Sequence, residues 1–399
     1  MAITFPASPT NGQTFTSGNK TWQWDGTTWL AYGASLSPTV LKVDAANARV
    51  GVNNQSPAYA LDVNGTIEAT QFLQGTDYLS PYQGFRNTII NGAMDVWQRG
   101  TSFANASASP YYTVDRFQTY RAGAVAGMTA SRQTSALDGF TYSLRVQRDN
   151  GNTSVNEIVV NQTFETQNIR KHHNKFVTLS FYARCGANFS SASSALNFGI
   201  LAGTGTDGSI ANGLTGQAYF SSGTATLTTT FQRFTVTTSA VLPTSKTQLG
   251  IIISFIPVGT AGANDWVEIT GVQLEQGSVA TPFEHRPIGT ELALCQRYYQ
   301  VINLSSSYGM PGFCDTTNLF IGVTSFPEMR TSPSVAFFGS NEIRRPGIAA
   351  TLVSSYTVNS GKSGVRVNAT TTTATLVAGQ GAILTYASGT PTITLSSEF

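Results

Sequence analysis

The 399-residue chain is poor in charge: Asp, Glu, Lys and Arg make up 11% of it, against about 25% in an average globular protein. Its formal net charge is +2, which gives no electrostatic basis for binding nucleic acid or an anionic membrane. Disordered chains combine low hydrophobicity with high net charge, so a nearly neutral chain that is 41% hydrophobic is expected to fold. Its polar surface must then come from Ser, Thr, Asn and Gln.

Cysteine and histidine are also scarce, with three residues of each. Cys185, Cys295 and Cys314 are too far apart in sequence for a CxxC pair, and we expect buried, reduced thiols. The sequence contains no HExxH motif, no Cys/His cluster and no GxSxG motif. We therefore expect no metal site, no cofactor and no catalytic triad.

Long apolar runs are absent. The longest, LGIIISFIPV at 249–258, is far shorter than the roughly 20 residues of a membrane helix. The first residues, MAITFPASPTNG, have no basic start and no apolar run, so no signal peptide is expected. These features predict synthesis in a cytoplasm without membrane insertion, whereas the Thr- and Ser-rich composition is typical of proteins that work outside cells. A virion protein satisfies both conditions.

What the sequence has in quantity is β-formers and 38 glycines, which predict many strands joined by tight turns. Residues 85–287 have the layout of a jelly-roll β-sandwich, with strands predicted at 178–184, 196–201, 233–239, 249–256 and 266–275. The consecutive apolar residues of 249–256 predict burial on both faces of that strand.

Residues 288–302 are predicted to form one short helical connector. Thr290 is its expected cap, and the apolar stripe consists of Ile288, Leu292, Cys295, Tyr299 and Ile302. The stripe suits either a three-helix junction between chains or packing on the chain's own sandwich. A second β domain is expected over 303–399, with strands at 319–326, 334–340, 349–358, 363–370, 373–379, 382–388 and 390–399.

Residues 1–36 read as a small hairpin module around the turn Asp25-Gly26. A unit of about 30 residues cannot bury enough surface to fold alone, so its aromatic residues suggest packing on a partner. The alternative is an edge hairpin on the next domain. The residues predicted to attach the module are Phe15, Trp22, Trp24 and Trp29.

Residues 37–84 contain a stretch of period-two alternation. Leu61, Val63 and Ile67 fall on one face, and Asp62 and Glu68 on the other. A single strand of this kind is expected to have no sheet of its own and to pair with copies of itself. The stretch therefore predicts an interwound β shaft of identical chains.

Several segments resemble bacteriophage tail fibres. RVGVNNQSPAYALDVNGTIEATQF (49–72) resembles their shaft element, and FRNTIINGAMDVWQRGTSF (85–103) with YYTVDRF (111–117) resembles the start of the next fibre domain. VEITGVQLEQGSVATPFEHRP (267–287) is similar to that domain's end, and ITFPASPTNGQTFTSGNKTWQWDGTTW (3–29) to N-terminal fibre segments, cyanophage examples included.

The resemblance covers roughly residues 1–300. It implies an elongated homotrimeric fibre in the virion, attached to phage tail or baseplate proteins through its N-terminus. It also implies that 85–287 is similar to the jelly-rolls of carbohydrate-binding modules, and that 303–399 is the distal tip.

Glycan binding needs aromatic faces beside hydrogen-bonding side chains, and two regions offer that mixture. The expected receptor-binding set in the tip domain is Tyr308, Phe313, Asn318, Phe338, Asn341, Arg344, Arg345 and Tyr356. The alternative glycan site, at the entry to the sandwich, is Trp97, Arg99, Tyr111, Tyr112 and Asp115. For both sets the competing interpretation is structural packing.

The function predicted from these features is adsorption to a host-surface glycan, such as lipopolysaccharide, by non-covalent trimeric binding. The low charge predicts that binding depends little on salt. One alternative is a glycan depolymerase, which would need two carboxylates about 5–10 Å apart in one groove. Another is a structural connector within the fibre or baseplate.

Overall fold

The computed structural model describes residues 4–18, 20–32, 41–44, 46–54, 56–64, 72–74, 77–79, 85–104, 111–123, 126–304 and 309–399. The chain divides into two compact units, Met1–Phe72 and Leu73–Phe399. Both consist mainly of β-strands, which confirms the predicted mainly β class. No helix in the described ranges combines the length and the apolar character needed to cross a membrane.

The first sheet of unit 1 is an antiparallel meander. Its strands are β1 (Thr14–Ser17), β2 (Lys20–Trp24) and β3 (Trp29–Tyr32). It therefore contains two hairpins, one more than the sequence predicts. The ring of Phe5 stacks on Trp29 at 5.2 Å and meets Trp22 edge-on at 5.4 Å. Asp25 fixes the second turn, because its Oδ1 accepts hydrogen bonds from the backbone N–H groups of Thr27 and Thr28.

The second sheet of unit 1 corrects the shaft prediction. Its strands are β4 (Leu41–Asp44), β5 (Arg49–Val52) and β6 (Leu61–Val63). The alternating strand was expected to lack a sheet of its own, but β6 pairs in parallel with β5, and β5 in antiparallel with β4. In the connection between β5 and β6, Arg49 Nη1 donates a hydrogen bond to the carbonyl of buried Pro57 at 3.1 Å. Ile67 lies outside the described residues.

Unit 2 contains a two-layer β-sandwich. Strands β7 (Phe72–Gln74) and β8 (Asp77–Leu79) pair with each other before it begins. The sandwich strands are β9 (Ser102–Ala104), β10 (Tyr111–Tyr112), β11 (Gln118–Arg121), β12 (Met128–Thr134), β13 (Tyr142–Arg148), β14 (Ile158–Thr163), β15 (Val177–Cys185), β16 (Ala195–Thr204), β17 (Thr215–Thr226), β18 (Gln232–Thr237), β19 (Gln248–Phe255) and β20 (Trp266–Gln276). Short helical turns are α1 (Thr166–Ile169), Arg170–His172 and Ala192–Ser194.

The sandwich strands form two antiparallel sheets around one apolar core. One sheet has the order β10-β11-β14-β19-β16-β17, and the other β18-β15-β20-β13-β12-β9. Alternate side chains of both sheets point inward, as Leu144 and Val146 do from β13 and Leu249 and Ile251 from β19. The five strands predicted here are confirmed, and this layout is consistent with a jelly-roll. The outer face of β19 is covered too, because Ile252 packs on a separate apolar cluster.

The predicted helix over 288–302 is too long. Helix α2 (Ile288–Gln296) begins after Pro287, which takes the capping position expected of Thr290. Residues Tyr299–Asn303 form strand β21 instead, because they pair with the last strand of the chain. Cys295 is buried, whereas Ile288 is 62% exposed, so the predicted stripe is not covered along its length.

The remaining strands form a sheet that closes on itself. They are β22 (Met310–Cys314), β23 (Leu319–Ser325), β24 (Ser334–Arg345), β25 (Ile348–Gly361), β26 (Gly364–Thr371) and β27 (Gly381–Ser396). Pairing runs β27-β22-β23-β26-β25-β24 and returns to β27, with an apolar core inside the ring. We call this element the closed sheet.

One predicted strand of this region is wrong. Residues 373–379 lie in a loop between β26 and β27, not in a strand. The apolar signal there comes from Leu376, which is 3% exposed and seals the end of the closed sheet. Its backbone N–H donates to the carbonyl of Thr317 at 2.8 Å in the β22–β23 turn, so no sheet partner is needed.

Candidate functional site

One end of the closed sheet gathers the turns β22–β23 and β24–β25 and the loop between β26 and β27. The β24–β25 turn is formed by Pro346 and Gly347, and Gly347 has φ +69°, a conformation that favours glycine. The β22–β23 turn is bound to β26, because the carbonyl of Asn318 accepts the backbone N–H of Thr371 at 2.9 Å. The sequence Arg344-Arg345-Pro346-Gly347 therefore places two guanidinium groups at a rigid end of the ring.

The two arginines have opposite surroundings, because neighbouring side chains of a strand point to opposite faces. Arg344 points outward: its side chain is 46% exposed, and its Nε donates to Glu342 Oε1 at 2.5 Å. Arg345 points inward and is 5% exposed. Its Nε, Nη1 and Nη2 have no hydrogen-bond acceptor among the residues that the structure describes.

Arg345 lies between two cavities. One has a volume of about 390 Å³ and is lined by Arg345, Ile348 and Leu352 together with four threonines, Thr351, Thr372, Thr373 and Thr375. The other measures about 370 Å³ and is lined by Arg344, Arg345, Pro346 and the start of β27. Both volumes fall in the range of small-ligand sites, which is about 300–1,000 Å³. We call these two cavities, with Arg345, the hairpin site.

The hairpin site combines a buried charge with hydroxyl groups and an apolar wall. A buried guanidinium without an acceptor is costly, and a ligand that supplies acceptors removes that cost. Thr351 Oγ1 and Thr375 Oγ1 lie 2.9 Å apart, so the hydroxyls on this wall are already ordered. This arrangement can bind a small polar ligand.

The other residues of the predicted tip set do not all join the hairpin site. Asn318 lies in the β22–β23 turn at the same end, and Phe313, 46% exposed, pairs with Gly381 of the second cavity. Phe338 precedes Arg345 by seven strand residues, which is about 20 Å. Asn341 is buried, and Tyr308 lies outside the described residues.

A stacked aromatic pair lies along the middle of the closed sheet and packs against its core. Phe337 and Tyr356 stack in parallel, with ring centroids 3.8 Å apart, and both are half-buried. Burial raises the pKa of Tyr356 to about 12. The sequence predicts that one of the adjacent residues Phe337 and Phe338 faces outward, and this is confirmed: Phe338 is 54% exposed.

The alternative glycan site at the sandwich entry is filled by the chain itself. Arg99 lies 3.6 Å from Asp115 and 3.0 Å from Glu398, and its guanidinium stacks 3.6 Å from the ring centre of Tyr299. Tyr112 accepts the backbone N–H of Phe399 on its hydroxyl at 3.2 Å. The structure thus brings Arg99, Tyr112 and Asp115 together, but around Glu398 and Phe399, which follow strand β27.

Arg116 completes this cluster, although the structural interpretation of the sequence pairs it locally with Asp115. It is 2% exposed, forms an ion pair with Glu398, and stacks on Tyr298 at 3.5 Å. Burial raises the pKa of Asp115 to about 6, against the lowering effect of Arg99. No local pattern predicts the cluster, because Glu398 lies 282 residues after Arg116.

The two remaining members of the alternative set are not part of this cluster. Trp97 packs on the sandwich core and donates its indole N–H to the carbonyl of Met94 at 2.6 Å. Tyr111 is half-buried at the edge of its sheet, and burial raises its pKa to about 12. Neither ring presents an open face together with the polar groups of Arg99 and Asp115.

Two further cavities line the sandwich. Asp95 and Glu291 share a cavity of about 20 Å³, which holds roughly one water molecule and no sugar ring. Burial raises the pKa of Asp95, and Glu291 is engaged by Arg286 at 3.2 Å. A larger cavity of about 330 Å³ is lined by Phe85, Lys171 and polar side chains, and sequence reasoning missed it.

Within the part of the chain that the structure covers, no group of three or more His, Cys, Asp or Glu side chains is arranged to hold a metal ion. Most buried carboxylates are instead paired with arginines. These pairs include Arg148–Asp265, Arg145–Glu268, Arg184–Glu268, Arg86–Glu275, Arg297–Glu165 and Arg116–Glu398.

No protein-family model matches the chain, and no curated protein matches its sequence. Solved structures with similar strand arrangements include the enzymatically active domain of tailspike protein 4 of bacteriophage CBA120, at 12% identity and TM-score 0.31, covering 48% of this chain and 22% of that one. A putative sugar binding protein from Bacteroides thetaiotaomicron matches at 12% and TM-score 0.31, over 48% of this chain and 100% of its own.

A xylan-binding domain from Paenibacillus barcinonensis is similar at 13% identity and TM-score 0.29, covering 49% of this chain and 96% of that domain. Similarity at this level assigns neither a family nor a function to the chain.

Proposed function

We propose that the chain binds a cell-surface glycan without cleaving it, and that the closed sheet carries the site. The observation that carries this proposal is Arg345, a buried guanidinium that has no acceptor among the described residues and lines two cavities of small-ligand size. Threonine hydroxyls on one wall suit the hydroxyl groups of a sugar, and Leu352 and Ile348 suit its apolar face.

We further propose that this binding serves adsorption of a bacteriophage to its host, with the chain as a trimeric tail fibre of the virion. The resemblance of residues 1–300 to tail fibres supports this role. The sheet of β4, β5 and β6 supports the trimer. In that sheet Leu61 is 59% and Val43 63% exposed, so packing on sister chains would remove this apolar surface from water. Unit 1 would attach to tail or baseplate proteins.

We also propose that the chain does not cleave the glycan that it binds. A glycan-cleaving enzyme needs two free carboxylates flanking the scissile bond. The described carboxylates nearest the hairpin site include Glu342, which is held by Arg344. The cavity shared by Asp95 and Glu291 is too small for a sugar ring. Both observations favour binding over cleavage.

The experiment is to present the full chain to an immobilised array of bacterial surface polysaccharides. Retained protein is measured, and the same polysaccharides are assayed for new reducing ends after incubation. We expect retention on a defined subset and no new reducing ends. New reducing ends would replace the binding proposal by a depolymerase, and retention on no glycan would leave the connector role.

A mass measurement by sedimentation tests the trimer separately. The expected value is about three times the 42.4 kDa of one chain. A stable monomer would contradict the trimeric fibre while leaving glycan binding to be judged by the array.

A further inference from the structure

We propose that the glycan bound at the hairpin site is acidic, and that its carboxylate or phosphate group pairs with Arg345. This inference rests on the proposed function and names the chemical class of its ligand. It predicts that neutral sugars bind weakly, although threonine hydroxyls line the same wall.

The first step is that Arg345 has no internal counterion. The nearest acidic side chain in its own strand, Glu342, pairs with Arg344 on the opposite face. Arg345 is 5% exposed, and no carboxylate oxygen of the described residues lies within 4.0 Å of its side-chain nitrogens. An uncompensated buried charge destabilises a fold. The three nitrogens are inaccessible to solvent in the ligand-free chain, so an external anion pairs with them when the side chain turns into one of the two cavities that Arg345 lines.

The second step is the geometry of the acceptor. A guanidinium presents a planar fork of N–H donors, which a carboxylate or a phosphate matches with two parallel hydrogen bonds. A neutral hydroxyl offers one acceptor and leaves the charge uncompensated. Since all three nitrogens of Arg345 lack acceptors, the deficit fits an anionic group better than a hydroxyl.

The third step concerns an internal acceptor that competes with an external ligand for Arg345. Gln380 Oε1, in the loop at the same end of the closed sheet, is also buried without a partner. A neutral amide oxygen supplies one hydrogen bond but no charge. If it paired with Arg345 in solution, removing the guanidinium would destabilise the chain. Stability therefore distinguishes an internal partner from an external one.

The experiment compares acidic oligosaccharides with their own neutral forms. The probes are uronic-acid oligosaccharides and their carboxyl-reduced counterparts, and phosphorylated oligosaccharides and their dephosphorylated counterparts. Affinities are measured for the full chain and for Arg345→Met. Arg344→Gln is the matched control, because Arg344 is the adjacent, exposed arginine that already has a carboxylate partner.

We expect at least one acidic probe to bind about tenfold or more tightly than its neutral form, because a hydrogen-bonded charged pair is at stake. Arg345→Met should abolish that preference, and Arg344→Gln should keep it. The uronic-acid and phosphate arms show which group is the natural one. Without ligand, Arg345→Met should unfold at the wild-type temperature or above it.

Several results would overturn the inference. Equal affinity for acidic and neutral forms, or a preference that survives Arg345→Met, would remove the anion from the site. A fall in the unfolding temperature of ligand-free Arg345→Met would show an internal partner. If the full chain bound neutral glycans only, the proposed function would stand and the acidic ligand would fail. Binding to no glycan would defeat both.

Discussion

Replacing Glu398 by Gln tests whether the arginine cluster at the sandwich entry is structural. The Glu398 side chain is 5% exposed, lies 3.0 Å from Arg99 and pairs with Arg116, whose side chain is 1% exposed. Gln keeps the shape and removes the charge. Arg116 then retains the carbonyl of Thr163 at 2.9 Å and the rings of Tyr298 and Phe399.

Removing one partner of a buried ion pair costs about 3–5 kcal/mol, because the other charge stays buried without compensation. Since these contacts of Arg116 survive, we expect a loss at the lower end, about 3 kcal/mol, in the free energy of unfolding of Glu398→Gln. The assay is urea unfolding of the full chain, followed by circular dichroism at fixed protein concentration.

The matched control is Glu342→Gln, which removes the same charge from a pair whose arginine is 46% exposed. An exposed pair contributes about 1 kcal/mol or less, so the control should unfold close to wild type. If Glu398→Gln lost no more than the control, the carboxylate of Glu398 would not hold Arg99 and Arg116. Their guanidinium groups would then be available for a ligand, as the alternative glycan site requires.

Three further predictions follow from burial and charge. Burial lowers the pKa of His172 from 6.5 to about 3. Below pH 6.5 the unfolded chain therefore binds more protons than the folded chain, and the free energy of unfolding should decrease as the pH is lowered. By pH 5 this loss is about 2 kcal/mol, and in His172→Gln it should vanish. The same pH dependence of stability in wild type and His172→Gln would refute this prediction. The Asp115 carboxyl changes stability with pH in the opposite direction, so the quantity to compare is the difference between the two proteins. Leu61→Asp should turn a trimer into monomers in sedimentation, whereas Val323→Asp, at a similarly exposed position of the closed sheet, should not; a trimer that survives Leu61→Asp would refute the shaft. Raising NaCl from 50 to 500 mM should weaken glycan binding less than about threefold, because buried pairs are screened little; a loss above tenfold would contradict it.

Local patterns account for the parts of the fold that the sequence predicts. Alternate residues of 196–201 point into the core, and the consecutive apolar residues of 249–256 are buried on both faces, so both strands are found where expected. The sequence of the loop at 373–379 resembles a strand because it contains the apolar residue Leu376. Leu376 is buried because it covers the end of the closed sheet, not because it lies in a strand. The sequence 299–302 continues a helical stripe, yet it pairs with a strand about 90 residues later.

The candidate site shows the same limit. Arg344 and Arg345 are recognisable as binding candidates in the sequence, but two adjacent arginines look alike there. Only strand alternation within the closed sheet separates the paired one from the buried, unpaired one. The sequence offers Arg99 and Asp115 either as a glycan site or as structural packing, and it does not decide between them because Glu398 lies far away along the chain. Long-range pairing is the information that a local pattern lacks.

The most direct test of the central claim is hydrogen exchange of the full chain with and without the tightest-binding glycan. The account predicts that amide protection appears in the β24–β25 hairpin around Arg345 and in the loop of Thr372, Thr373 and Thr375, with the rest of the chain unchanged. Protection confined to the sandwich, around Phe85 and Lys171 or around Arg99, would contradict it and place the glycan on the other fold of unit 2.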